Sequence, residues 1–134
     1  MAVIDASVYV ALVNAHESDH GSSWAWFEQA KTAQEPVIAP VILLAEVAAA
    51  LSRGIGDSAL AHRVVGQLLR LSVVELTPVT AALAKRAAAI AADHRIRGCD
   101  AVYVALAEQL NDHLVTLDEQ QLERGAAVAT VRKP

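Results

Sequence analysis

Cys99 is the only cysteine in the chain, so an intrachain disulfide cannot form and no site built on several thiolates can hold zinc. Its expected place is as a small buried thiol. Aromatic residues make up only 4% and charged residues 19%, against 54% hydrophobic. Such a composition predicts a helix-rich α/β protein with a sizeable core and an apolar surface suited to partners. No apolar run reaches the roughly 18 residues needed to span a bilayer, and Met1-Ala2-Val3-Ile4-Asp5 has no charged leader before an apolar core. A cytoplasmic location is expected. Basic charge is also scarce: the net charge is −4 and the isoelectric point about 5.7. That balance argues against a broad basic face for duplex nucleic acid, so any nucleic acid must be bound locally. Internal repeats, low-complexity linkers, a Gly-x-Ser-x-Gly elbow and a strand-borne glycine-rich phosphate loop are all missing, and Gly54-Ile55-Gly56 follows a predicted helix instead.

Against this background four carboxylates stand out. Asp5, Glu46, Asp100 and Asp118 each interrupt an apolar stretch. Apolar flanks place a side chain in or beside the core, where an ionised carboxylate is costly unless a cation, a donor or a proton compensates it. A fold that gathers four acids creates a site for a hard divalent cation such as Mg²⁺ or Mn²⁺. Taken singly, Asp5, Asp100 and Asp118 also suit helix N-caps, and Thr116 with Glu119 matches a capping box. Glu46 does not fit that reading. It lies inside a predicted helix and is the only charged residue between Glu35 and Arg53.

Apolar runs and turn residues predict one domain over residues 1–134. Strands are expected at Ala2–Ile4, Pro36–Pro40, Val73–Leu76, His113–Leu117 and Ala127–Val131. Helices are expected from Asp5 through Asn14, from Trp24 to about Thr32, and from Val41 to about Arg53 with Pro40 in the first turn. Three more follow: one capped by Asp57 and Ser58 and reaching about Leu71, one over Val79–Asp93, and one from Asp100 to about Leu110. His16 to Ser23 reads as loop. Strands that alternate with helices and are continuously apolar imply a central parallel sheet of four to five strands covered by helices on both faces. Ligands in such folds bind beyond the carboxyl ends of the strands, where Asp5, Asp100 and Asp118 fall.

Taken together, Val3-Ile4-Asp5-Ala6-Ser7, Leu43-Leu44-Ala45-Glu46-Val47, Cys99-Asp100-Ala101-Val102-Tyr103 with the following Val104-Ala105-Leu106-Ala107, and Val115-Thr116-Leu117-Asp118 resemble the four motifs of the PIN domain, in order and over the whole chain. This family of small metal-dependent ribonucleases includes the VapC-type toxins of toxin–antitoxin pairs. The resemblance implies that Asp5, Glu46, Asp100 and Asp118 surround Mg²⁺ or Mn²⁺ and that the protein cleaves RNA endonucleolytically. It also implies a homodimer and an antitoxin that blocks the acidic pocket. Ser7 and Thr116 match hydroxyl residues that the family often places beside its first and fourth acids. Cys99 departs from the pattern, standing where relatives commonly carry a basic or hydroxyl residue.

Arg53, Arg95 and Arg97 lie near Glu46 and Asp100 in sequence and are candidate phosphate contacts. Two other readings compete with a toxin: a PIN nuclease with a housekeeping role and no antitoxin, and a non-catalytic interaction domain whose acids serve as caps. A zinc site at His16, Asp19 and His20 and a phosphoaspartyl receiver are weaker, since the first lies in expected loop and the second lacks a lysine after a late strand. Trp24 and Phe27 are expected on one helix face and Trp26 on another, so that at least one aromatic reaches a partner surface.

Overall fold

Three-residue strands suffice at the centre of this protein because both faces of the sheet are covered. A computed structural model describes residues 1–134. Its strands are β1 (Ala2–Ile4), β2 (Val37–Pro40), β3 (Glu75–Thr77), β4 (His113–Val115) and β5 (Thr130–Arg132). They form one parallel sheet in the order β3-β2-β1-β4-β5. The central β1 is fully buried, while edge strand β5 alternates exposed and half-buried residues, as a strand with one free face should.

The helices are α1 (Ala6–Val13), α2 (His20–Thr32), α3 (Leu43–Ala49), α4 (Ser58–Leu71), α5 (Ala81–His94), α6 (Gly98–Leu110) and α7 (Glu119–Arg124). Alanine-rich α6 packs across β1, β2 and β4 and is buried on nearly every side. Right-handed crossovers with this strand order place α1–α4 on one face of the sheet and α5–α7 on the other. No helix is long and apolar enough to cross a membrane.

Several boundaries differ from the sequence expectation for identifiable reasons. The polar segment before Trp24 is helical from His20, because Ser23 N donates to Asp19 O and His20 Nδ1 bonds Ala11 O at 2.7 Å, tying α2 to α1. Pro40 ends β2 instead of opening α3, and Val41 N continues the pairing by donating to Thr77 O. Helix α3 runs on into a π-helical segment, Ala50–Ile55, which stops at Gly56 with φ of 78°. The third strand starts two residues late, because left-handed Ser72 ends α4 and Val73–Val74 return the chain to the sheet. The last strand is displaced by α7 and the 3-10 turn Gly125–Ala127, two elements the sequence reading did not contain. Thr116 and Glu119 make no capping box, since Asp118 is the cap and Thr116 turns to Asp5. Nor do Trp24 and Phe27 share a burial face: Phe27 and Trp26 pack toward the core while Trp24 is 49% exposed.

Candidate active site

The strand order reverses direction between β1 and β4, so the connections leaving these neighbours diverge and open a crevice at their carboxyl ends. Asp5 leaves β1 there and caps α1, and Asp118 lies just beyond β4 and caps α7. Asp100 occupies the first turn of α6, and Glu46 the first turn of α3. All four line one cleft of about 910 Å³. The capping expectation is therefore met for two of the three acids: Asp5 Oδ1 accepts from Val8 N and Asp118 Oδ1 from Gln121 N, whereas Arg97, not Asp100, is the N-cap residue of α6.

Asp5 is 3% exposed and surrounded by donors. Its Oδ1 accepts from Ser7 Oγ at 2.6 Å and from Val8 N, and its Oδ2 from Thr116 Oγ1 at 2.6 Å and Gln121 Nε2 at 2.8 Å. The two hydroxyls are themselves pinned: Ser7 Oγ accepts from Leu117 N and Thr116 Oγ1 from Asp118 N. Ser7 and Thr116 thus stitch the β1 and β4 connections together around the acid. Burial pushes the Asp5 carboxyl above its ordinary range, the surrounding donors oppose that, and the Asp100 charge adds to it.

Asp100 is also buried, and burial raises its pKa despite the neighbouring Arg97 guanidinium. Arg97 forks between two acids, with Nε at 2.8 Å from Asp100 Oδ2 and Nη2 at 3.0 Å from Asp118 Oδ2. Glu46 is half-buried. Beside it lies the buried hydroxyl of Tyr103, which has no partner at ordinary hydrogen-bond geometry and whose ionisation is opposed by burial and by the Glu46 charge.

Of the candidate phosphate contacts, Arg53 and Arg97 line the cleft. Arg95 is not among the lining residues; it adopts the left-handed conformation after α5, and its carbonyl accepts from Arg124 Nη1. Cys99 is exposed at the cleft wall next to Glu46, not buried, because the first turn of α6 directs it outward while Asp100 and Ala101 turn inward. His20 is engaged by α1 and His16 is exposed, and no ready metal group includes them. Sequence reasoning missed Glu17 and Gln121 and had Asp19 only in the weak zinc reading; Glu17 and Asp19 reach the cleft from the α1–α2 connection, and Gln121 is buried between Asp5 and Asp100. Glu17 and Asp19 sit in polar sequence that looks like any solvated loop, and Gln121 belongs to a helix too short to show a periodic pattern.

Six carboxylates and two guanidinium groups line this cleft. An all-oxygen donor set with two of its acids held up in pKa by burial suits a hard divalent cation. As arranged, no three acidic, histidine or cysteine side chains converge as a ready ligand set. The intervening donors are the physical reason: Arg97 spans Asp100 and Asp118, and Gln121 spans Asp5 and Asp100.

Comparison with known proteins agrees with this architecture. No curated protein matches the chain. Among solved structures, VapC20 of Mycobacterium tuberculosis, described as a sarcin–ricin loop cleaving toxin, is 24% identical with a TM-score of 0.76, covering 100% of both chains. A toxin–antitoxin complex from Klebsiella pneumoniae is 18% identical with a TM-score of 0.67, covering 100% of this chain and 98% of its counterpart. VapBC2 of Rickettsia felis, bound to a fragment of promoter DNA, is 15% identical with a TM-score of 0.71, covering 99% and 98%. These likenesses are of fold. Residues 2–127 match the PIN domain family, and with four acids at the switch point of its five-stranded parallel sheet the chain belongs to that family.

Proposed function

We propose that this protein, acting as one domain over residues 1–134, is a cytoplasmic metal-dependent endoribonuclease and the toxin of a toxin–antitoxin pair. The observation that carries the reading is the convergence of Asp5, Glu46, Asp100 and Asp118 on one cleft at the carboxyl ends of β1 and β4. Family membership supports nuclease chemistry, and the toxin and toxin–antitoxin structures of the same fold support the pairing with an antitoxin. A homodimer belongs to the same proposal.

A phosphodiester carries negative charge that repels nucleophiles and would be repelled by these acids alone. Held by the four carboxylates, Mg²⁺ or Mn²⁺ would offset that charge and acidify a water. The protein's own residues do the rest. Ser7 and Thr116 oppose the burial cost of the Asp5 anion and fix its orientation. Asp118 is held by its capping bond to Gln121 N, and Arg97 is positioned to exchange carboxylates for a backbone phosphate when RNA enters. Arg53 offers a second cation on the cleft wall. Cys99 and Tyr103 lie beside Glu46, the acid reached from α3.

With water as nucleophile, cleavage leaves a 5′-phosphate and a 3′-hydroxyl. Incubation of single-stranded RNA with the purified protein and Mn²⁺, followed by end mapping, should show those termini, with no cleavage in chelator or by Asp100→Asn. A 2′,3′-cyclic phosphate would overturn the mechanism, since it requires the ribose hydroxyl as nucleophile.

A further inference from the structure

Asp5 can accept no cation as it stands, because each of its oxygens already receives two donors and a carboxylate offers about four lone-pair sites. One donor must leave. Val8 N is fixed in the first turn of α1, and the Ser7 and Thr116 hydroxyls are each anchored a second time by a main-chain N–H from the β4 connection. Gln121 is different. Its side chain is 1% exposed, and its Nε2 donates to Asp5 Oδ2 at 2.8 Å and, over a long 3.4 Å, to Asp100 Oδ1. The other end of the same amide, Oε1, is buried and has no hydrogen-bond partner.

That arrangement is costly unless it has a second use. Burying an amide oxygen without a donor forfeits the hydrogen bonds it would make in water. The orientation is nonetheless forced while the two carboxylates are bare, since turning the oxygen toward them would set three acceptors against one another. A divalent cation between Asp5 and Asp100 reverses the preference. The amide nitrogen then faces like charge, and the amide oxygen, a hard neutral donor, becomes the favoured end.

We infer that Gln121 is a further cation ligand of this cleft: it donates from Nε2 to Asp5 and Asp100 when no cation is present, and offers Oε1 to the ion after a half-turn about Cγ–Cδ. The inference rests on the carboxylate metal site proposed above. It makes Gln121 a built-in stand-in for the cation and accounts for both the saturated Asp5 and the orphaned oxygen.

Calorimetric titration of the full chain with Mn²⁺ tests it, using wild type, Gln121→Met, which keeps the shape without the amide, and Gln121→Glu, which presents oxygen in either orientation. Wild type should bind, Gln121→Met should bind at least tenfold more weakly, and Gln121→Glu should equal or exceed wild type. Chelator should lower the unfolding midpoint of Gln121→Glu below that of wild type, because three carboxylates then face one another. Unchanged or tighter binding by Gln121→Met would overturn the inference alone, as would weaker binding by a folded Gln121→Glu. That second arm stands even where Gln121→Met does not fold. Absence of Mn²⁺ binding by wild type would remove the metal site itself and the inference with it.

Discussion

At Asp100 the fold places a carboxylate where it costs stability, and the sign of that cost can be measured. Burial raises its pKa above the unfolded value of about 3.9, so between those two values the folded chain binds the proton more tightly than the unfolded chain does. Its contribution is therefore most favourable below about pH 4 and is lost as pH rises through the folded pKa. Asp100→Asn should raise the unfolding midpoint in chelator at pH 7, with the gain shrinking as pH falls toward 4; a loss of stability at pH 7 would show that the Arg97 pair outweighs burial. Arg97 itself is 68% exposed and spans two acids of the site. Arg97→Ala should tighten Mn²⁺ binding by freeing Asp100 and Asp118, while weakening RNA and lowering the logarithmic salt slope by about 1. An unchanged slope would remove its phosphate contact. The acids were legible in the sequence because apolar flanks exposed them; Gln121 was not, since a neutral amide in polar sequence carries no such signal.

Among the elements, all five strands and six of the seven helices were anticipated, and the helix starts marked by a cap were read best. Helix α4 begins where Asp57 caps it, with Asp57 Oδ1 accepting from Leu60 N at 2.8 Å, and α5 begins at the similar cap Thr80. Such local signals live within four residues and survive any tertiary context. Strand limits do not, since they depend on where a neighbour offers hydrogen bonds, and three-residue strands leave little pattern to read. The π-helical segment after α3 is a further case. Its start carries no sequence mark, but its end does: Gly56 takes the left-handed conformation that side chains resist. Gly56→Ala should cost about 1 kcal/mol in denaturant unfolding, whereas Gly54, free of that constraint, should tolerate alanine with little loss. Equal losses at the two positions would refute the argument.

For the molecule as a whole, ligand linkage gives the broadest test. Mn²⁺ at about 100 times its dissociation constant should stabilise the protein by roughly 2.7 kcal/mol, a midpoint rise of about 10 °C at this size. Differential scanning calorimetry with Mn²⁺ against chelator measures it, and a rise that survives Asp100→Asn would place the ion outside the cleft. The sequence by itself determined the alternation of strands and helices, the parallel sheet and the four carboxylates, because hydrophobic periodicity and caps are local and a charge amid apolar residues is conspicuous. Only the tertiary structure decided what the acids meet. The pairing of β1 with β4 brings Thr116 across 111 positions to Asp5. The same closure sets Arg97 between Asp100 and Asp118 and buries Gln121 against Asp5. Those contacts join residues far apart in the chain, and their energies come from burial and mutual geometry that no local stretch of sequence contains.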